Sequence, residues 1–120
     1  MATLRSLNPR VRPIAEWFLR YLASIGIKAM VTSARRDKAQ QAKLYADYRA
    51  GRAAFPAAPP GKSTHAAGIA FDLRLANLAP PASPPYPWQY QTAGELWESL
   101  GLTWGGRFGD PIHFDFRRRA

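Results

Sequence analysis

The chain contains two histidines, and each lies near carboxylates in the sequence. His65 precedes Asp72 by seven residues, and His113 lies between Asp110 and Asp115. Cysteine is absent, so any metal site must use imidazole and carboxylate ligands rather than thiolates. A catalytic zinc typically takes three protein ligands and leaves a fourth position to water. The three ligands could be His65, Asp72 and His113.

The same residues have a simpler interpretation that involves no metal. His65 would then be a solvated loop residue, and His113 would be a hydrogen-bonded partner of Asp72. The metal site instead requires a turn over residues 66–68 that brings His65 back over the strand carrying Asp72. Gly68 suits such a turn because glycine tolerates a positive φ. Residue types and spacing alone leave both interpretations open.

Two segments alternate in polarity with the period of two that is typical of β-strands. Residues 69–75 place Asp72 opposite an apolar face, and residues 112–117 do the same for His113 and Asp115. If these strands are neighbours, Asp72 and His113 lie on the same face of the sheet.

Helical periodicity begins near Asn8, the predicted cap of a first helix that ends before Gly26. The other predicted elements are a strand over 27–33, a helix from Asp37 to about Ala50, a helix over 91–100, and proline-rich loops over 52–64 and 76–88. Together they predict a single α+β domain over residues 1–120. Its small antiparallel sheet would have helices on one side and the metal cleft on the other.

Three blocks of the sequence carry a family resemblance. They are Ser-x-His-x-x-Gly-x-Ala-x-Asp from Ser63 to Asp72, Trp-Gly-Gly at 104–106 with Asp-x-x-His-Phe at 110–114, and Ser33-Ala34-Arg35-Arg36 followed by Gln41, Leu44 and Tyr45. In this order they resemble the M15 group of zinc peptidases, which includes D-alanyl-D-alanine carboxypeptidases and L-alanyl-D-glutamate endopeptidases. The third block departs from the family's Ser-Gly-Tyr-Arg at Ala34 and Arg35 but keeps Arg36 in register.

The resemblance implies a Zn²⁺ ion bound by His65, Asp72 and His113. It also implies that Asp110 takes a proton from the attacking water and passes it to the leaving amine. Many relatives have glutamate at that position, whereas the endopeptidase branch includes aspartate. Arg36 would stabilise the negative charge that develops on the scissile carbonyl oxygen.

Three further residues have two interpretations each. Ser63 matches a family serine near the bound peptide, or it caps its own loop. Trp104 lines the cleft and contacts substrate, or it belongs to the core. Asp115 supports the ligand His113 from the second shell, or it forms an exposed salt bridge with a terminal arginine.

The implied fold is that of the D-Ala-D-Ala carboxypeptidases and Hedgehog-type domains. The implied reaction is hydrolysis of a peptide bond in peptidoglycan stem peptides. No secretory signal is recognisable at the start of the sequence, which favours an L-alanyl-D-glutamate endopeptidase that resembles a phage endolysin over a carboxypeptidase. Such an enzyme stays in the cytoplasm until it is released to the cell wall. We expect a monomer.

The formal net charge of +9 favours a polyanionic partner, such as an anionic wall polymer or a membrane surface. The charge also suits a nucleic-acid binder, but the sequence contains no recognisable nucleic-acid motif, and we expect no specific nucleic-acid partner. A third alternative is a zinc-containing binding module without activity. The presence of Asp110 beside the predicted ligands argues against that alternative.

Overall fold

A computed structural model of the protein describes residues 3–34, 38–52, 67–79 and 83–119. The helices are α1 (Arg12–Ser24), α2 (Lys38–Arg49) and α3 (Trp88–Ser99), and the strands are β1 (Ala29–Ser33), β2 (Ala70–Leu75), β3 (Leu102–Trp104) and β4 (His113–Arg118). Two short 3-10 helices cover Leu4–Ser6 and Gly105–Phe108. No helix in these ranges is long and apolar enough to cross a membrane.

The four strands form one antiparallel sheet in the order β1-β2-β4-β3. The predicted α+β class is therefore confirmed, and the two alternating segments are neighbours in the sheet. In the β2–β4 pair, Phe71 lies opposite Phe114 and Asp72 lies opposite His113. Strand β3 was not predicted, because its three residues are too few to show an alternating pattern.

The core lies on the face of the sheet that carries Phe71 and Phe114, whose rings are stacked with their centroids 5.7 Å apart. From α1, Phe18 packs at 5.7 Å from Phe114, and from α3, Trp97 packs edge-on at 5.3 Å from Phe71. All four side chains are fully buried. Successive side chains of a strand point to opposite faces of the sheet. Asp72, which follows Phe71 on β2, and His113, which precedes Phe114 on β4, therefore face away from this core.

The first helix begins later than the sequence predicts. The side chain of Asn8 accepts a hydrogen bond from the backbone N–H of Arg10 at 3.0 Å, within a turn that precedes the first helical residue. The backbone N–H of Asn8 donates to the carbonyl of Gly68 at 2.9 Å and ties this turn to the segment before β2. The helix then starts at Arg12, with Pro13 in its first turn.

The third helix begins earlier than predicted, at Trp88 rather than at Gln91. Pro87 occupies the position before the first helical residue, and its carbonyl accepts hydrogen bonds from the N–H groups of Tyr90 and Gln91. The end of the predicted loop 76–88 therefore initiates the helix. The second helix agrees with the prediction, although its predicted cap, Asp37, lies outside the described residues.

Trp104 locks α3, β3 and the following turn together. Its ring is only 1% exposed and lies between Gly94 of α3 and Gly106, where a β-carbon at either glycine would overlap the ring. The indole N–H donates to the carbonyl of Pro111 at 2.9 Å, just before β4. The two glycines are therefore required by the close approach of the tryptophan.

We predict that Gly94→Ala destabilises the protein by about 1–3 kcal/mol, because the added methyl group must displace the Trp104 ring. In an ordinary helix interior, the same change stabilises by roughly 0.5–1 kcal/mol. Urea denaturation measures the difference, with Gln89→Ala in the same helix as the control. A Gly94→Ala protein at least as stable as the parent would contradict the proposed packing.

Candidate metal centre

Asp72 and His113 face each other across the β2–β4 pair, on the side of the sheet opposite the aromatic core. Both side chains are buried, and the Nδ1 atom of His113 lies 3.6 Å from the Oδ1 atom of Asp72. On the other side of β2, Ser33 at the end of β1 is the register partner of Asp72. The sheet thus brings together two of the three predicted metal ligands.

The other nitrogen of the His113 ring, Nε2, contacts the carboxylate of Asp115. Its Nε2 atom lies 2.7 Å from the Oδ2 atom of Asp115, which is fully buried. A carboxylate accepts hydrogen bonds, so we assign the Nε2 proton to this contact. In the neutral imidazole, Nδ1 then keeps its lone pair and turns it toward Asp72. This is the arrangement that orients a histidine for metal binding.

Asp115 is itself held by Arg117, two residues along β4. Arg117 donates from its backbone N–H to Oδ1 at 2.9 Å, from Nε to Oδ1 at 3.1 Å, and from a terminal nitrogen to Oδ2 at 2.8 Å. Burial raises the pKa of Asp115, but the hydrogen bonds from His113 and Arg117 outweigh burial and hold the pKa below its usual range. Asp115 therefore makes both contacts that the sequence analysis treated as alternatives.

The carboxylates around His113 make its position favourable for positive charge. Burial lowers the pKa of His113, but hydrogen bonds to Asp115 and Asp72 and the charges of Asp72 and Asp110 outweigh burial. They raise this pKa from 6.5 to about 9. In the metal-free protein, the three carboxylates thus keep the His113 ring protonated at neutral pH.

Asp110 lies in the turn that leads into β4, close enough for its charge to raise the pKa of His113. Its backbone N–H donates to the carbonyl of Gly105 at 2.8 Å, and its carbonyl accepts from the N–H of His113 at 3.1 Å. A β-carbon at Gly105 would overlap the Asp110 carbonyl oxygen and lie 2.8 Å from the β-carbon of His113. Gly105 of the Trp-Gly-Gly motif is therefore needed to bring Asp110 beside His113.

Trp104, for which the sequence left two interpretations, lies in the core rather than at the surface of the cleft. It acts on the site indirectly, because its hydrogen bond to Pro111 fixes the residue that follows Asp110.

Two residues near the site were missed. Phe108 is half exposed, and its ring centroid lies 6.1 Å from that of His113, so it is available to contact a substrate. Arg117 was considered only as one of several terminal arginines, although its alternation with His113 and Asp115 along the predicted strand was a usable signal for its contact with Asp115. Phe108 had no comparable signal, because its position depends on the 3-10 turn.

The remaining predicted site residues, Arg36, Ser63 and His65, lie outside the described residues. Gly68, just after them, has the predicted positive φ, at 75°, and forms a turn that leads into β2. Within the described ranges, no group of three metal-ligating side chains is found. The described part of the chain thus contributes Asp72 and His113, and the prediction for His65 stands as made.

The two described donors suit a zinc ion. Zinc binds carboxylate oxygen and imidazole nitrogen at about 2.1 Å, and tetrahedral coordination at that bond length separates two donors by roughly 3.4 Å. The separation between Oδ1 of Asp72 and Nδ1 of His113 is 3.6 Å. Both donor types and their separation therefore fit the metal with little rearrangement.

Two family models match the sequence, and both describe D-alanyl-D-alanine carboxypeptidases. One covers residues 57–116, which is half of the chain and includes Asp72, Asp110 and His113. The other covers residues 4–84. A comparison with curated protein sequences found no match.

The crystal structures that resemble this chain include those of three peptidases. The L-Ala D-Glu endopeptidase ChiX of Serratia marcescens is 22% identical, with a TM-score of 0.63 over 95% of this chain and 83% of that protein. The vancomycin-resistance D,D-pentapeptidase VanY, in complex with Zn(II), is 17% identical, with a TM-score of 0.64 over 92% of this chain and 72% of that protein.

The third is the vancomycin-resistance D,D-dipeptidase VanXYg, in complex with a D-Ala-D-Ala phosphinate analogue. It is 19% identical, with a TM-score of 0.65 over 92% of this chain. The chain spans half the length of that protein. At these identities, the three likenesses establish a shared fold.

We predict that His113 of the metal-free protein titrates near pH 9. Because its pKa is raised on folding, its contribution to stability is complete below about pH 6.5 and is lost as the pH rises through about 9. Asp115→Asn should lower the pKa, because it removes a carboxylate partner. Imidazole ¹⁵N chemical shifts measure both values, with His65→Ala to assign the signals. A His113 pKa at or below 6.5 in the parent protein would disprove the electrostatic description.

Proposed function

Because the chain belongs to the D-alanyl-D-alanine carboxypeptidase family of M15 peptidoglycan metallopeptidases, we propose that it cuts the L-alanyl-D-glutamate bond of stem peptides. The proposed metal is a zinc ion held by His65, Asp72 and His113. The observation that carries the proposal is the buried Asp72–His113 pair, in which Nδ1 of His113 faces the Asp72 carboxylate at 3.6 Å while Nε2 contacts Asp115.

The proposed residue roles follow from their positions. Zinc, when bound, would polarise the scissile carbonyl and acidify the attacking water. Asp110, on the turn beside His113, accepts the proton of that water and delivers it to the leaving amine. Asp115 holds the Nε2 proton of His113 throughout and so keeps the ring oriented.

Two residues outside the described ranges complete the proposal. Arg36 is assigned to the negative charge that develops on the carbonyl oxygen, and Ser63 to orientation of the peptide. Both assignments come from the match to the family motifs. The pairing of Ser33, the last residue of β1, with Asp72 supports the assignment of the block that follows β1 to the proposed metal centre.

Two observations support the choice of bond. Asp110 is an aspartate, as in the endopeptidase branch, rather than the glutamate of many relatives. The ChiX endopeptidase also shares the fold over most of both chains. The description of both family models favours the alternative, removal of the terminal D-alanine by a D-alanyl-D-alanine carboxypeptidase.

Mass spectrometry of the fragments released from purified peptidoglycan distinguishes the two reactions. We predict that the zinc-loaded protein releases fragments that end at L-alanine and exposes a new amino terminus on D-glutamate, and that a chelated control releases neither. Loss of only the terminal D-alanine would replace the endopeptidase with the carboxypeptidase. No zinc-dependent product from several wall types would refute the proposed hydrolysis.

Two variants should distinguish the role of the metal ligand His113 from that of the base Asp110. We predict that His113→Ala loses zinc and activity together, because a ligand is removed. Asp110→Asn should retain zinc but lose about 10²- to 10⁴-fold in turnover, because the amide cannot accept the proton. Metal analysis and peptidoglycan turnover give both values, with Asp47→Asn on α2 as a control that keeps zinc and activity. Full activity in Asp110→Asn would show that another group is the base.

A further inference from the structure

Helix α1 is apolar on two adjacent sides, of which only one is packed. Ala15, Phe18 and Leu22 form the buried side. The other side carries a stripe at spacings of three and four residues, between 38% and 43% exposed, made of Ile14, Trp17, Tyr21 and Ile25. The Trp17 and Tyr21 rings stack with their centroids 5.4 Å apart. This stripe is more apolar surface than a single exposed residue would present.

The stripe continues into a groove of about 570 Å³ between α1 and the β3 edge of the sheet. Ile14 and Trp17 line one wall, and Leu102, Phe116 and Arg118 line the other, with Leu100 from the end of α3. Leu100 is 40% exposed, so the apolar surface extends across both elements. We call the stripe and the groove together the α1 surface.

Two arginines border the α1 surface. Arg118 lines the groove and Arg20 flanks the stripe, and both are exposed. Within the described residues, neither side chain forms a salt bridge. The acidic residue of α1, Glu16, lies one turn before Arg20 and nearly opposite Ile14 around the helix, so it does not enter the stripe. The chain as a whole carries a net charge of +9.

We propose that the α1 surface docks on the surface of an anionic phospholipid bilayer. Tryptophan and tyrosine prefer the level of the headgroups, where an apolar ring and a polar tip are both accommodated. Ile14, Ile25 and Leu100 would enter the boundary with the acyl chains, while Arg118 and Arg20 would pair with lipid phosphates. A single surface that combines aromatic, aliphatic and cationic groups is what such binding needs.

Other occupants match the surface less well. A second copy of the chain would bring another net charge of +9 and another Arg118 to the same interface, which like-charge repulsion disfavours. A wall glycan offers hydroxyl and carboxylate groups to the arginines but little apolar surface for Ile14 and Ile25. Both occupants give distinct results in the experiment below.

The test measures binding of the zinc-loaded protein to unilamellar vesicles. One set contains phosphatidylcholine alone, and the other contains equal parts of phosphatidylcholine and phosphatidylglycerol. We predict sedimentation with the anionic vesicles only, weakened by salt, together with a blue shift of tryptophan fluorescence as Trp17 leaves water. These readouts do not depend on hydrolysis, so the membrane proposal can fail while the proposed peptidase activity is confirmed, and the reverse.

Paired variants distinguish the α1 surface from the general charge of the protein. Trp17→Ser should weaken anionic-vesicle binding about tenfold and abolish the blue shift. Arg118→Gln should weaken it about fivefold. The controls are Trp88→Ser, an exposed tryptophan at the far end of α3 from Leu100, and Arg49→Gln at the end of α2. Circular dichroism verifies that each variant is folded.

Four outcomes would overturn the proposal. They are no binding to anionic vesicles, equal binding by Trp17→Ser and the parent, equal weakening by Arg49→Gln and Arg118→Gln, and a dimer in solution that Trp17→Ser converts to a monomer. A loss of sedimentation with intact peptidoglycan in Trp17→Ser, without a change in vesicle binding, would assign the surface to the wall instead.

Discussion

The pairing of β2 with β4 is the constraint on which the rest of the structure depends. In its register, Phe71 lies opposite Phe114 on one face and Asp72 lies opposite His113 on the other. A slip of one residue would turn a whole strand over and separate both pairs. The aromatic cluster opposes such a slip, because a slip would move Phe71 or Phe114 out of contact with Trp97. The register that packs the aromatic core is therefore the same register that places Asp72 opposite His113.

The electrostatics of the site follow from burying carboxylates behind a single imidazole. Asp115 is fully buried and is stabilised by Arg117 and His113 together. With Asp72 and Asp110 also nearby, the pKa of His113 rises to about 9. A metal ion must displace that proton to bind, so metal affinity should increase with pH up to this value. The negative charge that retains the proton is the same charge that attracts the cation.

Much of this arrangement could be predicted because it has a local signature. Alternation along two short segments placed Asp72 and His113 on one face, and the same alternation put Asp115 and Arg117 beside His113. The later start of α1 was missed because both Pro9 and Pro13 suit the first turn of a helix; residues 9–11 form a turn, and Pro13 marks the start.

The sequence could not decide between the two roles of Trp104, because its burial depends on two glycines that approach it from different elements. Phe108 reaches His113 through a short 3-10 turn without periodicity. The three family-matched residues Arg36, Ser63 and His65 remain predictions, since they lie outside the described part of the chain.

In the proposed metal centre, Nδ1 of His113 and the carboxylate of Asp72 share a zinc ion while Nε2 of His113 stays bonded to Asp115. Anomalous diffraction at the zinc edge, from crystals of the zinc-loaded protein, would locate the ion. We predict one ion at about 2.0–2.2 Å from Nδ1 and from an Asp72 oxygen, with the Asp115 contact retained. An ion on Nε2, or no ion bound to either residue, would contradict it.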